Sequence, residues 1–142
     1  KMLISIFIKN KRKKMKKIFL SLILSLPSLA FANDLMSFDA ECFVVDGKNK
    51  TEQCTFITGN DGTHVLSALE LKNAVYFTKT PLDCVGQIGC QAQLGTDEKH
   101  LNKAEFYVRD RKSKKVVNEA KLDDWGCYKQ SNGKVDICSR LP

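Results

Sequence analysis

The chain has 142 residues and a formal net charge of +7, but eight of its 23 Lys and Arg lie in residues 1–32 and all 16 Asp and Glu follow residue 32. Residues 33–142 therefore carry 15 basic and 16 acidic residues, a net charge of −1. This balance argues against a nucleic-acid-binding protein, which needs a concentrated basic surface, and against intrinsic disorder, which favours a high net charge.

The N-terminal segment has the pattern of a bacterial secretory signal peptide. Met15-Lys16-Lys17 gives the positive start, Ile18–Leu29 the apolar stretch, and Ala30-Phe31-Ala32 the small residues before a cleavage site. A membrane anchor is the alternative, but the apolar run is shorter than the roughly 20 residues needed to span a bilayer. We therefore expect no stable membrane span after cleavage.

The predicted domains follow from this pattern. Residues 1–32 are an N-terminal extension and cleaved signal peptide, and residues 33–142 form a single disulfide-rich β domain. The position after the cleavage site is Asn33 and not cysteine, which argues against a lipid-anchored protein. The expected location of the mature chain is periplasmic or secreted.

The sequence of the mature chain predicts short strands separated by turn signals such as Asp-Gly and Asn-Gly, which accept the positive φ of tight hairpin turns. In chain order the predicted strands are Phe38–Val45, Thr51–Thr58, Thr63–Leu71, Ala74–Thr80, Ala104–Arg109, Val116–Leu122, Trp125–Gln130 and Lys134–Ser139. Turn signals at this spacing predict a mainly β fold, a small antiparallel β sandwich or barrel.

Two segments are also compatible with a short helix. Thr96-Asp97-Glu98 resembles a helix N-cap followed by an acidic first turn, with Leu101, Ala104 and Val108 at helical spacing. Residues 64–71 are ambiguous as well, because their leucines fit both the spacing of a helix and the alternation of a strand. The fold prediction therefore leaves room for one short helix.

Six cysteines follow the signal peptide, and an even set in a small exported chain predicts up to three disulfides. They are Cys42, Cys54, Cys84, Cys90, Cys127 and Cys138. We favour the pairing 42–54, 84–90 and 127–138, one of 15 possible pairings of six cysteines. Each bridge that closes a loop of about 10–15 residues adds on the order of 3 kcal/mol of stability.

The hairpin around Asn132-Gly133 supports the third pair, because it places Cys127 opposite Cys138. A two-residue turn would put this pair at a hydrogen-bonded site, whereas a four-residue loop, Ser131–Lys134, would put it at a non-hydrogen-bonded site, whose closer approach suits a disulfide better. The first pair is arranged similarly around Lys48. The second encloses a loop that its glycines make easy to close.

The sequence contains no recognisable catalytic, metal-binding or phosphate-binding motif, and no C-x-x-C. His64 and His100 are its two histidines, and neither has a characteristic flanking motif. We therefore expect a protein that is not an enzyme, with no cofactor and no bound metal.

Two groups of residues are candidate binding sites. The densest basic cluster consists of Arg109, Arg111, Lys112, Lys114 and Lys115. It would either dock an acidic partner, lipid headgroup or glycan, or form a solvated hairpin tip. Trp125 and Tyr128, beside Cys127, would either form an aromatic binding anchor or fill the core against the disulfide.

The favoured function is a small exported, non-enzymatic protein-binding module of inhibitor, immunity or accessory type. Rigid, disulfide-held loops bind another envelope or extracellular protein at a lower ordering cost. The alternative is a structural or surface-assembly component of the bacterial envelope, in which sheet edges pair with other subunits. An enzyme that uses scattered Asp, Glu or His residues is the least favoured class.

Overall fold

The computed structural model describes residues 35–141, and all of its regular secondary structure in this range is β. The strands are β1 (Met36–Val44), β2 (Glu52–Asn60), β3 (His64–Glu70), β4 (Val75–Pro81), β5 (Gln91–Asp97), β6 (His100–Arg109), β7 (Val116–Val117), β8 (Trp125–Gln130) and β9 (Asp136–Arg140). The predicted mainly β fold is confirmed. The predicted signal peptide and its cleavage site lie outside the described residues.

Eight of the strands close into an antiparallel barrel. The order along the sheet is β5-β4-β3-β2-β1-β9-β8-β6, and β5 also pairs with β6, which joins the two ends. The short strand β7 pairs with β6 beyond the end of β5. Closure gives both outer strands of the sheet a partner and removes the free edges of an open sheet.

Side chains fill the barrel interior, as expected for eight strands. Leu69, Leu94 and Ile137 are buried there, together with the Cys42–Cys54 disulfide. Two buried polar groups find partners inside. The Thr80 and Tyr128 hydroxyl oxygens lie 3.0 Å apart, and the Gln130 amide donates to the Leu94 carbonyl at 2.7 Å.

A second apolar cluster lies on the outer wall. Because inward and outward residues alternate along a strand, Phe43 faces outward next to the inward-facing Cys42. Phe43 packs with Trp125 and with the Cys127–Cys138 disulfide, and all four residues are buried. They are covered by the segment between β6 and β8, so this wall is held together by packing on both of its faces.

The three predicted disulfides are confirmed. Cys127 lies opposite Cys138 with Cα atoms 4.1 Å apart. The Gln130 N–H donates to the Val135 carbonyl, so the connecting loop has the four residues Ser131–Lys134 and the cysteines occupy a non-hydrogen-bonded pair.

The first disulfide has a different register from the predicted one. Cys42 pairs with Glu52 and Cys54 with Ala40, so the bridge runs diagonally between β1 and β2. The turn is shifted because Asp46 accepts hydrogen bonds from the Lys48 and Asn49 N–H groups. These bonds fix the conformation of residues 46–49, and the centre of the turn lies before Lys48.

The possible helix after Thr96 is not formed. Asp97 instead accepts a hydrogen bond from the Lys99 N–H in the tight turn between β5 and β6. A β-bulge lies just before this turn, and a Cβ at Gly95 would come within 2.7 Å of the His100 carbonyl oxygen. The residues that resemble an N-cap therefore serve a hairpin. Residues 64–70 are strand, and of the predicted strand 116–122 only Val116–Val117 is formed.

Candidate functional site

Most of the exposed large apolar side chains lie at one end of the barrel. We call the end formed by the start of β1, residues 61–63, 82–90, 110–112 and 122–124, and the end of β9 the loop end. The middle of the 110–124 connection runs along the outer wall, where Lys114 reaches Asn49 and Thr51. The opposite end, formed by residues 45–51, 71–74, 98–99 and 131–135, is the turn end. Seven of the eight large apolar side chains that are exposed among residues 35–141 belong to the loop end: Met36, Phe38, Leu82, Val85, Ile88, Leu122 and Leu141. The eighth, Val116, lines a groove together with Lys129 and Ser131, nearer the turn end.

The loop between β4 and β5 presents three of these side chains in a fixed conformation. The Cys84–Cys90 disulfide closes it, and the Gly89 N–H donates to the Phe106 carbonyl of β6 while the Phe106 N–H donates to Cys90. Leu82, Val85 and Ile88 are 44%, 44% and 41% exposed. The bridge and the contacts with β6 therefore hold apolar side chains toward solvent.

The predicted basic cluster begins at the last residue of β6 and continues into the connection after it, where the carboxylate of Asp110 orders the turn. It accepts hydrogen bonds from the Lys112 and Ser113 N–H groups at 3.0 and 2.7 Å. The Ser113 contact contributes most to lowering the pKa of Asp110 below its ordinary value. The Lys114 N–H donates to the Asp110 carbonyl, so the segment is an ordered turn.

Two of the five basic residues make contacts within the fold. The Lys114 ammonium donates to the Asn49 carbonyl and to Thr51 Oγ1, and it lies 4.5 Å from the centre of the Phe43 ring. Arg109 donates to Tyr107 and to the Lys114 carbonyl. The charges of these two residues are thus used within the fold, where they fasten the turn.

The other three basic residues, Arg111, Lys112 and Lys115, are exposed. Arg111 lies 4.0 Å from the carboxylate of Asp123, and the same neighbourhood contains a groove of about 520 Å³ lined by both cations and carboxylates. This part of the loop end carries mixed charge. It fits a partner surface of mixed charge better than a uniformly acidic one.

The two predicted aromatic anchors belong to the core. Trp125 is 1% exposed, with its ring centre 4.7 Å from that of Phe43. Tyr128 points into the barrel, contacts Phe106 edge-on and meets Thr80 through its hydroxyl. Of the two interpretations, the burial of these side chains favours the one in which they fill the core.

Tyr107 and Asp136 form a half-buried pair on the outer wall, beside a groove of about 340 Å³. The Tyr107 hydroxyl donates to Asp136 Oδ1 at 2.6 Å and accepts from Arg109 Nε at 3.0 Å. The pKa of Tyr107 is raised well above its ordinary value, mainly by burial and to a smaller extent by the hydrogen bond to Asp136. The hydroxyl therefore keeps its proton in the folded state.

This pair predicts a loss of stability at alkaline pH. Above about pH 10 an unfolded tyrosine ionises, whereas folded Tyr107 stays neutral. Loss of the proton stabilises the unfolded state relative to the folded one, so the free energy of unfolding falls as the pH rises. Denaturant unfolding between pH 8 and 11 is expected to show a smaller alkaline loss in Tyr107→Phe than in the wild type. The same pH dependence in both proteins would contradict the role of Tyr107.

The two histidines are at opposite ends of the barrel. His64 Nδ1 lies 2.8 Å from Thr63 Oγ1 at the loop end, and His100 Nδ1 lies 2.8 Å from Asp97 Oδ2 at the turn end. Among residues 35–141, no three or more His, Cys, Asp or Glu side chains are grouped to hold a metal ion. His64 and His100 therefore do not form a common site.

The fold and surface define a class, a disulfide-stapled eight-stranded antiparallel barrel with one apolar end. Three disulfides indicate folding in an oxidising compartment, extracellular or periplasmic. In the part of the chain that the structure describes, no helix is long and apolar enough to cross a membrane. Comparison with models of protein families, with curated proteins and with solved structures finds no match.

Proposed function

We propose that the protein is an exported, non-enzymatic binding module of inhibitor, immunity or accessory type, and that its loop end contacts a partner protein. The observation that carries this proposal is the placement of seven of the eight exposed large apolar side chains of the described residues at that end. Exposed apolar side chains concentrated on one part of a small domain are characteristic of interaction sites. The polar turn end lacks this character.

The rigidity of the loop end supports the proposal further. Leu82, Val85 and Ile88 project from a loop that a disulfide closes and β6 anchors. A loop already held in its bound shape loses little entropy on binding, so more of the burial energy appears as affinity. Mixed charges on Arg111 and Asp123 beside the apolar side chains resemble the polar rim that surrounds an interface core.

The apolar loop gives a direct test. Replacing both Val85 and Ile88 with serine removes exposed apolar surface without changing charge or the disulfide. Partner proteins captured from an envelope extract by the wild-type protein are expected to be lost from the double variant. Quantitative mass spectrometry of both captures measures the change, which should exceed about tenfold if the loop contributes an interface hot spot of at least 2 kcal/mol.

A matched variant at the turn end separates specific binding from general adhesion. Lys72→Ser with Asn73→Ser alters two exposed residues of the β3–β4 turn, at the other end of the barrel. This control should capture the same partner as the wild type. Equal loss in both variants, or equal capture by all three proteins, would contradict the proposed use of the loop end.

The assembly alternative depends on free sheet edges. Closure pairs β5 with β6, so the two ends of the sheet order are joined to each other. This closure reduces the edge available for pairing with other subunits and favours the binding module. A concentration-dependent change in sedimentation coefficient would instead support assembly.

A further inference from the structure

We propose that a second site, a groove on the outer wall across β4, β5 and β6, binds a phosphate or sulfate group. The groove has a volume of about 390 Å³. Its lining residues are His64, Lys79, Pro81, Gln91, Ala92, Gln93 and Lys103. The polar side chains among them carry N–H donors, and none of the lining residues is Asp or Glu.

The strand register places the two lysines on either side of one glutamine. Lys79 on β4 pairs with Gln93 on β5, and Gln93 pairs with Lys103 on β6. Neighbouring strands lie about 4.8 Å apart, so the lysine Cα atoms are roughly 10 Å apart across Gln93. The flexible four-carbon stems allow both ammonium groups to reach one anion above the glutamine.

The carboxylates nearest to this pair line other pockets. Among the described residues, neither lysine takes part in the ion pairs of the structure. Glu105 lies opposite Gln91 but lines the neighbouring groove beside Tyr107. Glu98 lines a different, smaller pocket beside Lys79. Two ammonium groups on one groove repel each other, and an oxyanion between them would remove that repulsion.

The other groups of the groove suit the same ligand. The amide of Gln93 lies between the lysines, and His64 lies opposite Pro81 at the next level of the sheet. Asp61, near His64, is occupied by the Thr63 and His64 N–H groups and lies in the adjacent turn. A tetrahedral oxyanion accepts several charge-assisted hydrogen bonds at once, as this arrangement of donors offers. The volume leaves room for a small organic group attached to the anion.

The test uses inorganic phosphate and glycerol phosphate as probes of the purified protein. Two-dimensional ¹H–¹⁵N NMR titration is expected to show saturable shifts centred on Gln93 and Lys103. Lys79→Gln with Lys103→Gln should weaken binding by about tenfold or more. Tighter binding of glycerol phosphate would identify an ester as the ligand, and equal binding would identify free phosphate.

The control changes the same charge elsewhere. Lys99→Gln with Lys134→Gln removes two exposed lysines from the turn end and should leave the affinity within about twofold, because distant surface charges are largely screened at physiological salt. Equal weakening in both double variants would overturn the site and show general attraction by net charge. Shifts that do not saturate, or that are centred away from Gln93, would overturn it as well.

Discussion

Replacing Trp125 with alanine is expected to lower the free energy of unfolding by about 3–5 kcal/mol, the range for a buried aromatic side chain. Its ring packs on Phe43 with centres 4.7 Å apart, and its Nε1 donates to the Arg111 carbonyl. The Lys114 ammonium and the Arg140 guanidinium lie 5.6 and 4.4 Å from its ring. The substitution therefore removes the packing that joins the 110–115 turn to the barrel wall, together with two cation–π contacts.

Leu122→Ala provides the matched control, because Leu122 lies in the same connection but is 87% exposed. Its effect should stay within about 0.5 kcal/mol, as for most surface substitutions. Urea unfolding followed by circular dichroism measures both values. If Trp125→Ala were as mild as Leu122→Ala, the outer-wall cluster would contribute little to the stability of the barrel.

Local hairpins were predictable from the sequence, and closure of the barrel was not. The pairing of Cys127 with Cys138 depends on a turn four residues long, so spacing and turn chemistry define it. In contrast, β1 pairs with β9 through Glu41 and Arg140, whose side chains also form a 2.7 Å ion pair. These residues are almost a hundred positions apart, and no local pattern reports such a contact.

The strand β5 was missed for a physical reason. Gln91 and Gln93 face outward while Ala92 and Leu94 face inward, but Gly95 and the following Thr-Asp interrupt the alternation after only four residues. The same Thr and Asp resemble a helix N-cap, because an Asp that accepts backbone N–H groups serves both helix starts and tight turns. The pairing with β4 and β6 decides between them.

The candidate site was likewise only partly predictable from the sequence. The basic residues of the 109–115 segment were identified from the sequence. The contacts of Lys114 could not be, because they are made with the β1–β2 turn, which is distant in sequence and close only in the folded protein. The apolar loop end gave no signal, since Met36, Ile88 and Leu141 are isolated in sequence and isolated apolar residues are ordinary on surfaces. Their meaning arises from the topology that brings them to one end.

Removing the disulfide inside the barrel is expected to be costly to stability. Cys42 and Cys54 are buried and connect β1 to β2 across 12 residues. Replacing both with alanine should lower the free energy of unfolding by about 2–5 kcal/mol, from the greater entropy of the unfolded chain and from the space left in the core. Denaturant unfolding under identical conditions measures this loss.

The Cys84–Cys90 bridge is the matched comparison, because it closes only six residues of a surface loop. Replacing both of its cysteines with alanine should cost about 2 kcal/mol or less on the same entropy scale. It should also free Val85 and Ile88 from their fixed positions, so limited proteolysis is expected to cut within residues 85–89 while the barrel remains folded. The inner-bridge variant should resist cleavage in this loop under conditions where it is folded. The opposite pattern, an uncut loop after loss of Cys84 and Cys90, would mean that the contacts with Phe106 alone hold it, and the disulfide would then have no part in presenting the apolar side chains.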